Sequence, residues 1–182
     1  ISCCATKRDQ ARIVLDSARA MAQKCLPFLK HTGVEVLAHT IKHEASNSEV
    51  VALSSDYSSL DGRADVLSIC DELHAMNRKT FETIESGMSK RRDSLLLCIT
   101  TAGYDIDGIG ASQSSYAKRV ALGTVQDETF FSMVHCADDD DDPLLPSTWE
   151  KANPNWSVSV DEVNLSAKAK KAAENAYDLA NF

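Results

Sequence analysis

Two short strings in this sequence carry residue types that could do chemistry together. Asp71-Glu72 follows directly on the apolar run Ala64–Cys70, and Thr100-Thr101 closes a second apolar run, Ser94–Ile99, with Thr100 standing 29 positions after Asp71. In open α/β sheets, ligands bind beyond the carboxyl ends of the strands. An aspartate closing such a strand can hold magnesium against the phosphates of a nucleotide. A glutamate immediately after it reaches the same crevice and can polarise a water for in-line attack. Hydroxyls at the tip of a neighbouring strand can report whether the terminal phosphate is present. The plain alternative for Asp71-Glu72 is an exposed acidic turn after a strand. The Thr-Thr-Ala-Gly strand end argues against that alternative.

Positioning these residues requires two parallel strands and a crossover. Between the two apolar runs, Phe81, Ile84 and Met88 recur at helical spacing, predicting a helix from about Arg78 to Arg91. Strand, helix, strand within about 40 residues is a βαβ unit with a right-handed crossover. Near-continuous apolar strands are what a sheet covered on both faces requires.

The flanking segments extend this unit. Residues 1–5 read as the end of a buried strand. Thr6, with Asp9 as a variant capping box, opens a helix whose face is Ala11, Val14, Leu15, Ala18, Met21, Ala22 and Cys25, and which stops at Pro27. Val34–Ala38, Thr40–Lys42 and Glu49–Leu53 predict a strand meander or hairpin. Ser54–Gly62, rich in Ser, Asp and Gly, predicts a loop. Ala111–Leu122 reads as a helix and Thr129–Cys136 as a further strand. Beyond Pro143 come a short helix broken at Asn153-Pro154 and an alanine-rich helix, capped by Ser159 with Glu162 and running almost to Phe182. These give an expected division into residues 1–142 and 143–182.

Composition narrows the function classes. The chain has 182 residues, 43% of them hydrophobic, and a formal net charge of -8. Such a surface repels a phosphate backbone on average, which argues against a static grip on nucleic acid by this chain alone. No apolar run approaches the roughly 18 residues of a membrane span. The six cysteines form no CxxC pair and no zinc-like spacing with histidine, so they read as reduced thiols. The five-aspartate run Asp138–Asp142 lacks the alternating ligands and glycine of a calcium loop, and reads as a solvated boundary loop. A phosphate cradle of the form G-x-x-x-x-G-K-[ST] is absent: these 182 residues contain no Gly-Lys dipeptide. Gly87-Met88-Ser89-Lys90 has the wrong spacing and lies at a helix end.

Longer strings carry a resemblance. Ala5-Thr6-Lys7-Arg8-Asp9-Gln10-Ala11-Arg12, Leu53–Gly62, Asp71-Glu72-Leu73-His74-Ala75, Glu85-Ser86-Gly87-Met88 with Arg91-Arg92, Ile99-Thr100-Thr101-Ala102-Gly103-Tyr104, Asp127–Phe131 and Trp149-Glu150-Lys151-Ala152-Asn153-Pro154-Asn155 occur in this order. Together they resemble the large subunit of tailed-phage terminases, a family with an N-terminal packaging ATPase and a C-terminal nuclease.

The resemblance implies a partial P-loop NTPase-like (ASCE) α/β fold. Its parallel sheet would lack the P-loop strand, which sits inside the sheet in that class, and a C-terminal helical linker segment would follow. It implies Asp71 as the Walker B magnesium residue, Glu72 as the catalytic carboxylate, and Thr100 and Thr101 on the motif coupling hydrolysis to movement. It implies ATP and magnesium as cofactors of the intact protein, and double-stranded DNA, portal or procapsid and a small terminase subunit as its partners, in a bacterial host cytoplasm. In the family the P-loop lies upstream of the Ala-Thr-Lys-Arg-Asp-Gln string and the nuclease lies downstream. The chain therefore reads as a fragment, inactive alone, which could self-associate through open sheet edges. A degenerate prophage remnant acting as an interaction module, or a piece of a DExH-like helicase, are the alternative readings. Lys7, Arg8 and Arg12 read as a solvated helix face.

Overall fold

The computed structural model describes residues 1–54, 60–180 and 182. Two compact units divide the chain, Ile1–Tyr116 and Ala117–Phe182. The first unit holds a six-stranded sheet of β1 (Ser2–Ala5), β2 (Val34–Val36), β3 (Thr40–His43), β4 (Ser48–Ser54), β5 (Leu67–Asp71) and β6 (Leu95–Ile99). Their order is β2-β3-β4-β1-β5-β6. The four strands β4, β1, β5 and β6 are mutually parallel, while β3 runs antiparallel to both of its neighbours. The meander read from residues 34–53 and the βαβ unit read from residues 64–99 are both present.

Alternation along the strands sends side chains to two faces. On one face Cys4, Cys70 and the flanking Leu53 and Leu96 pack with Leu60, Leu73, Met76, Phe81, Ile84 and Ile109. This is the side covered by α3 (Arg78–Met88) and the start of α4 (Ile109–Ala121). Phe81, Ile84 and Met88 are all buried, as their spacing predicted, and each contributes about 1.5–3 kcal/mol by leaving water. On the other face Ala5 and Ala52 pack against Ala11 and Leu15 of α1 (Arg8–Lys24), with Ile41 and Val50 alongside. Small residues dominate there, so the helix approaches the sheet closely.

Local chemistry moves several boundaries from where the sequence put them. The residue capping α1 is Lys7 rather than Thr6, and it makes no side-chain cap bond. The lower part of the expected face is solvated, with Met21 67% exposed. Pro27 ends α1, as expected, and also opens α2 (Leu26–Thr32), because proline is tolerated where the first-turn amides need no partner. Gly33, at φ 70° and donating to the Leu29 carbonyl, closes α2. The expected loop Ser54–Gly62 falls largely outside the described residues.

At the open end of the sheet, β6 has no outer neighbour among the described residues. Leu95, Leu97 and Ile99 lie on one face of it and are 60%, 42% and 51% exposed. The expected open edge is therefore present and carries bare apolar surface, and the neighbours β1, β5 and β6 keep an uninterrupted parallel register.

In the second unit Thr129–Cys136 forms no strand, contrary to the sequence reading. A strand needs a hydrogen-bonded neighbour, and no described strand pairs with this segment. Phe131 and Met133 stay 85% and 73% exposed, and the Ser132 hydroxyl donates to the Ala117 carbonyl instead. The unit centres on Trp149 of α5 (Pro146–Ala152), buried against Trp156 and Phe182 at ring-centroid distances of 6.5 and 6.0 Å. Its indole N–H donates to the Pro143 carbonyl at 2.7 Å.

The alanine-rich tail is two helices, α6 (Glu162–Ala172) and α7 (Ala176–Ala180), rather than one. Asn175 accepts from the Asp178 amide and donates to its carboxylate, both at 2.8 Å. That side chain offers the backbone a new helix start in place of continuation. The cap of α6 is Asp161, accepting from the Asn164 amide at 2.9 Å, and not the expected Ser159.

Candidate functional site

β5 and β6 pair in register, Asp71 opposite Ile99, so Thr100 emerges one residue beyond Asp71 on the adjacent strand. β5 stops because Glu72 turns into the left-handed region, at φ 54° and ψ 50°. A bulky non-glycine residue there costs of order 1 kcal/mol, and such strain clusters at functional sites. The Asp71 carboxylate accepts the Glu72 amide at 3.0 Å and steadies the turn. A 3-10 turn over Leu73–Ala75 follows, pinned by Leu73 at 1% exposure. Asn77 then caps α3 by accepting from the Lys79 amide at 2.8 Å.

This turn brings Glu72 and Thr100 to a shared partner. The Glu72 Oε2 lies 3.2 Å from His74 Nδ1, and the same Nδ1 lies 3.0 Å from Thr100 Oγ1. The His74 amide donates to Thr100 Oγ1 at 3.0 Å. Thr100 in turn donates to the Thr101 carbonyl at 2.9 Å. Asp71, Glu72 and Thr100 thus converge at the ends of two paired strands, while Thr101 joins them through its carbonyl.

His74 and Gly103 figure in the sequence only as members of longer strings, without a role of their own, and Gly110 carries no sequence expectation. A Cβ at Gly103 would meet the His74 Cβ at 2.7 Å, and one at Gly110 would meet its Cα at 2.5 Å. The available signal was the histidine three positions after Asp71 and the glycine of Thr-Thr-Ala-Gly.

The donor set suits a hard cation. Asp71 is half-buried at a strand end, and among the described residues no cation pairs with it. Its carboxylate is the oxygen ligand magnesium prefers. Among the described residues no phosphate cradle appears beside it. Gly87 of Gly87-Met88-Ser89-Lys90 is buried in α3, where an added Cβ would lie 2.9 Å from the Arg63 carbonyl oxygen. Its role is close packing. The hollow between residues 60–63 and α3, lined in part by Arg63, Lys79, Glu82 and Lys90, includes none of Asp71, Glu72, Thr100 or Thr101.

The remaining candidates have structural explanations. Carboxylates of Asp138, Asp140 and Asp141 lie within 4.8 Å of one another, but the Lys151 ammonium pairs with Asp138 and, at 2.8 Å, with Asp141. These bonds push the lysine up and hold Asp141 below the usual carboxylate range. Arg12 sits 3.9 Å from Asp16 on its own helix, and Lys7 and Arg8 are exposed. All six cysteines are free. No helix among the described residues is long and apolar enough to cross a membrane.

Comparison with known proteins bears on the family and the fold. The family model "Terminase large subunit, ATPase domain" matches residues 1–119, more than half of the chain. Protein YmfN of Escherichia coli (strain K12) is 33% identical over 117 residues, covering 64% of this chain and 26% of that relative. The crystal structure of the HK97 bacteriophage large terminase superposes with a TM-score of 0.78 at 22% identity, over 97% of this chain and 36% of that one. The chain thus spans about a quarter to a third of the length of the proteins it matches. Through the family match, and with the fold in agreement, this chain belongs to the ATPase-domain family of terminase large subunits.

Proposed function

We propose that the chain supplies the hydrolysis half of the ATP-driven motor that packages phage DNA. The observation that carries this reading is the convergence of Asp71, Glu72 and Thr100 at the carboxyl ends of β5 and β6. Asp71 would hold magnesium, Glu72 would orient and polarise the attacking water, and Thr100 with Thr101 would respond to loss of the terminal phosphate. Bound ATP and magnesium supply the transferable phosphoryl group and neutralise its developing charge. Double-stranded DNA, portal or procapsid and a small subunit are the partners of the whole motor in a host cytoplasm.

A site without a phosphate cradle binds nucleotide weakly, so the 182 residues alone are inactive in this reading. Phosphate release from ATP by this chain tests that: none above background is expected. Release that Glu72→Gln abolishes would show that the cradle is dispensable. The exposed apolar residues of β6 favour a second property, self-association through that open edge.

A further inference from the structure

We infer that His74 is a positioning residue that ties the Glu72 carboxylate to the tip of β6, so that the water-polarising group and the phosphate-sensing hydroxyl shift as one unit. The functional meaning of this tie rests on the ATPase reading above; the tie itself rests on hydrogen-bond accounting. A threonine hydroxyl has one proton and two acceptor lone pairs. Thr100 Oγ1 lies 2.9 Å from the Thr101 carbonyl, which can only accept, so its proton is committed there. The His74 amide donates to Thr100 at 3.0 Å, and Nδ1, at 3.0 Å from the same hydroxyl, also faces the Glu72 carboxylate, which can only accept, so a bare Nδ1 would set its lone pair against an anion. Nδ1 therefore carries a hydrogen, and that hydrogen also faces Glu72 Oε2 at 3.2 Å. One N–H spans the carboxylate and the hydroxyl.

The packing keeps it there. Gly103, three residues beyond Thr100, and Gly110, in the first turn of α4, approach the Cβ and Cα of His74 so closely that neither position has room for a side chain. The imidazole is thus seated between the end of β5, the loop after β6 and the start of α4. A histidine serving only to fill space would need neither the fixed Nδ1–H tautomer nor the shared proton.

The test uses the 182-residue chain without nucleotide. Nitrogen NMR of the imidazole, recorded at alkaline pH, is expected to show Nδ1 protonated in the wild type. In the Glu72→Met, Thr100→Val double variant, which removes both oxygens facing Nδ1, the population should shift toward Nε2–H. A wild-type ring protonated on Nε2 would overturn the proposal, as would a tautomer unmoved in the double variant.

Independently, urea unfolding is measured for Glu72→Met, Thr100→Val and the double variant. With His74 present, the two effects on the unfolding equilibrium constant should fail to multiply by about 2-fold or more. They should multiply cleanly in His74→Ala. His74→Asn, whose amide N–H can stand where Nδ1–H stands, should restore the coupling and covers the case in which His74→Ala does not fold. Multiplication in the wild-type background, or no restoration by asparagine, would sink the tie. Neither readout involves ATP, so this failure is distinct from failure of the ATPase reading, which would show as turnover indifferent to Glu72→Gln.

Discussion

Gly110→Ala should destabilise the protein even though it adds a better helix former to α4. An alanine Cβ at position 110 would sit 2.5 Å from the His74 Cα, 3.0 Å from its Cβ and 3.1 Å from its amide nitrogen. Carbon atoms in contact prefer about 3.5–4.0 Å, so the start of α4 and the Leu73–Ala75 turn must separate by roughly 1 Å. The nearest atom belongs to the backbone, so no rotamer change relieves the clash. Ile109, 3% exposed and part of the main core, moves with its neighbour. Overpacking of this kind costs about 1–3 kcal/mol. Against it stands a helix-propensity gain of up to about 1 kcal/mol in a helix interior, and less in a first turn. The net expectation is a loss of about 1–2 kcal/mol. Urea unfolding followed by circular dichroism reads this as a midpoint lowered by roughly 0.5–1 M with an unchanged slope. An unchanged or raised midpoint would show that α4 does not press on His74, and would refute the packing on which the site's geometry depends.

Acid sensitivity should centre on Asp65. Burial raises its carboxyl, but the bidentate bonds from Arg63 at 2.9 and 3.0 Å, and the Arg63 charge, outweigh burial and hold it below the ordinary aspartate value. A depressed folded-state value adds stability above the unfolded-state value and loses it as pH falls through the folded one. Asp65→Asn should therefore cost about 1.5–3 kcal/mol near neutrality, and should flatten the fall in stability below about pH 4. An equally steep acid limb in the variant would contradict this. Among the thiols, the exposed Cys98 has its pKa lowered by its hydrogen bond from Cys70, whereas burial pushes Cys3 up to about 11. Mass spectrometry of alkylation should find Cys98 modified before Cys3 in dilute solution. Light scattering should show association at high concentration, with Cys98 then protected and Leu97→Lys restoring the monomer; a wild-type monomer at every concentration would remove the β6 edge as an interface.

The parts of the fold that the sequence made legible are those where one physical signal dominates. Leu67–Asp71 and Leu95–Ile99 are apolar and β-compatible, and the 3- and 4-residue spacing of Phe81, Ile84 and Met88 leaves α3 little choice. Strand ends then follow, which is why the placement of Asp71, Glu72 and Thr100 at the ends of β5 and β6 was legible from the chain alone. Thr129–Cys136 carries a strand's composition, but composition supplies no hydrogen-bonding neighbour. The break between α6 and α7 turns on the Asn175 side chain competing with the helix, an effect smaller than the alanine propensity surrounding it. His74 stands within the Asp71–Ala75 string and the DExH-like alternative but takes no role from either, because a lone histidine has no periodic signature. Its importance appears only once β6, the loop at Gly103 and the first turn of α4 are folded around it.

The central claim is that Glu72 polarises the attacking water while Asp71, Thr100 and the fold position it. ATP turnover by this chain extended upstream through a strand and a G-x-x-x-x-G-K-[ST] loop, with and without Glu72→Gln, tests that most directly. The account predicts measurable turnover in the extended chain, and a fall in kcat of roughly 100-fold or more in the variant, with KM for ATP little changed. Turnover that survives Glu72→Gln at the parent rate would contradict it.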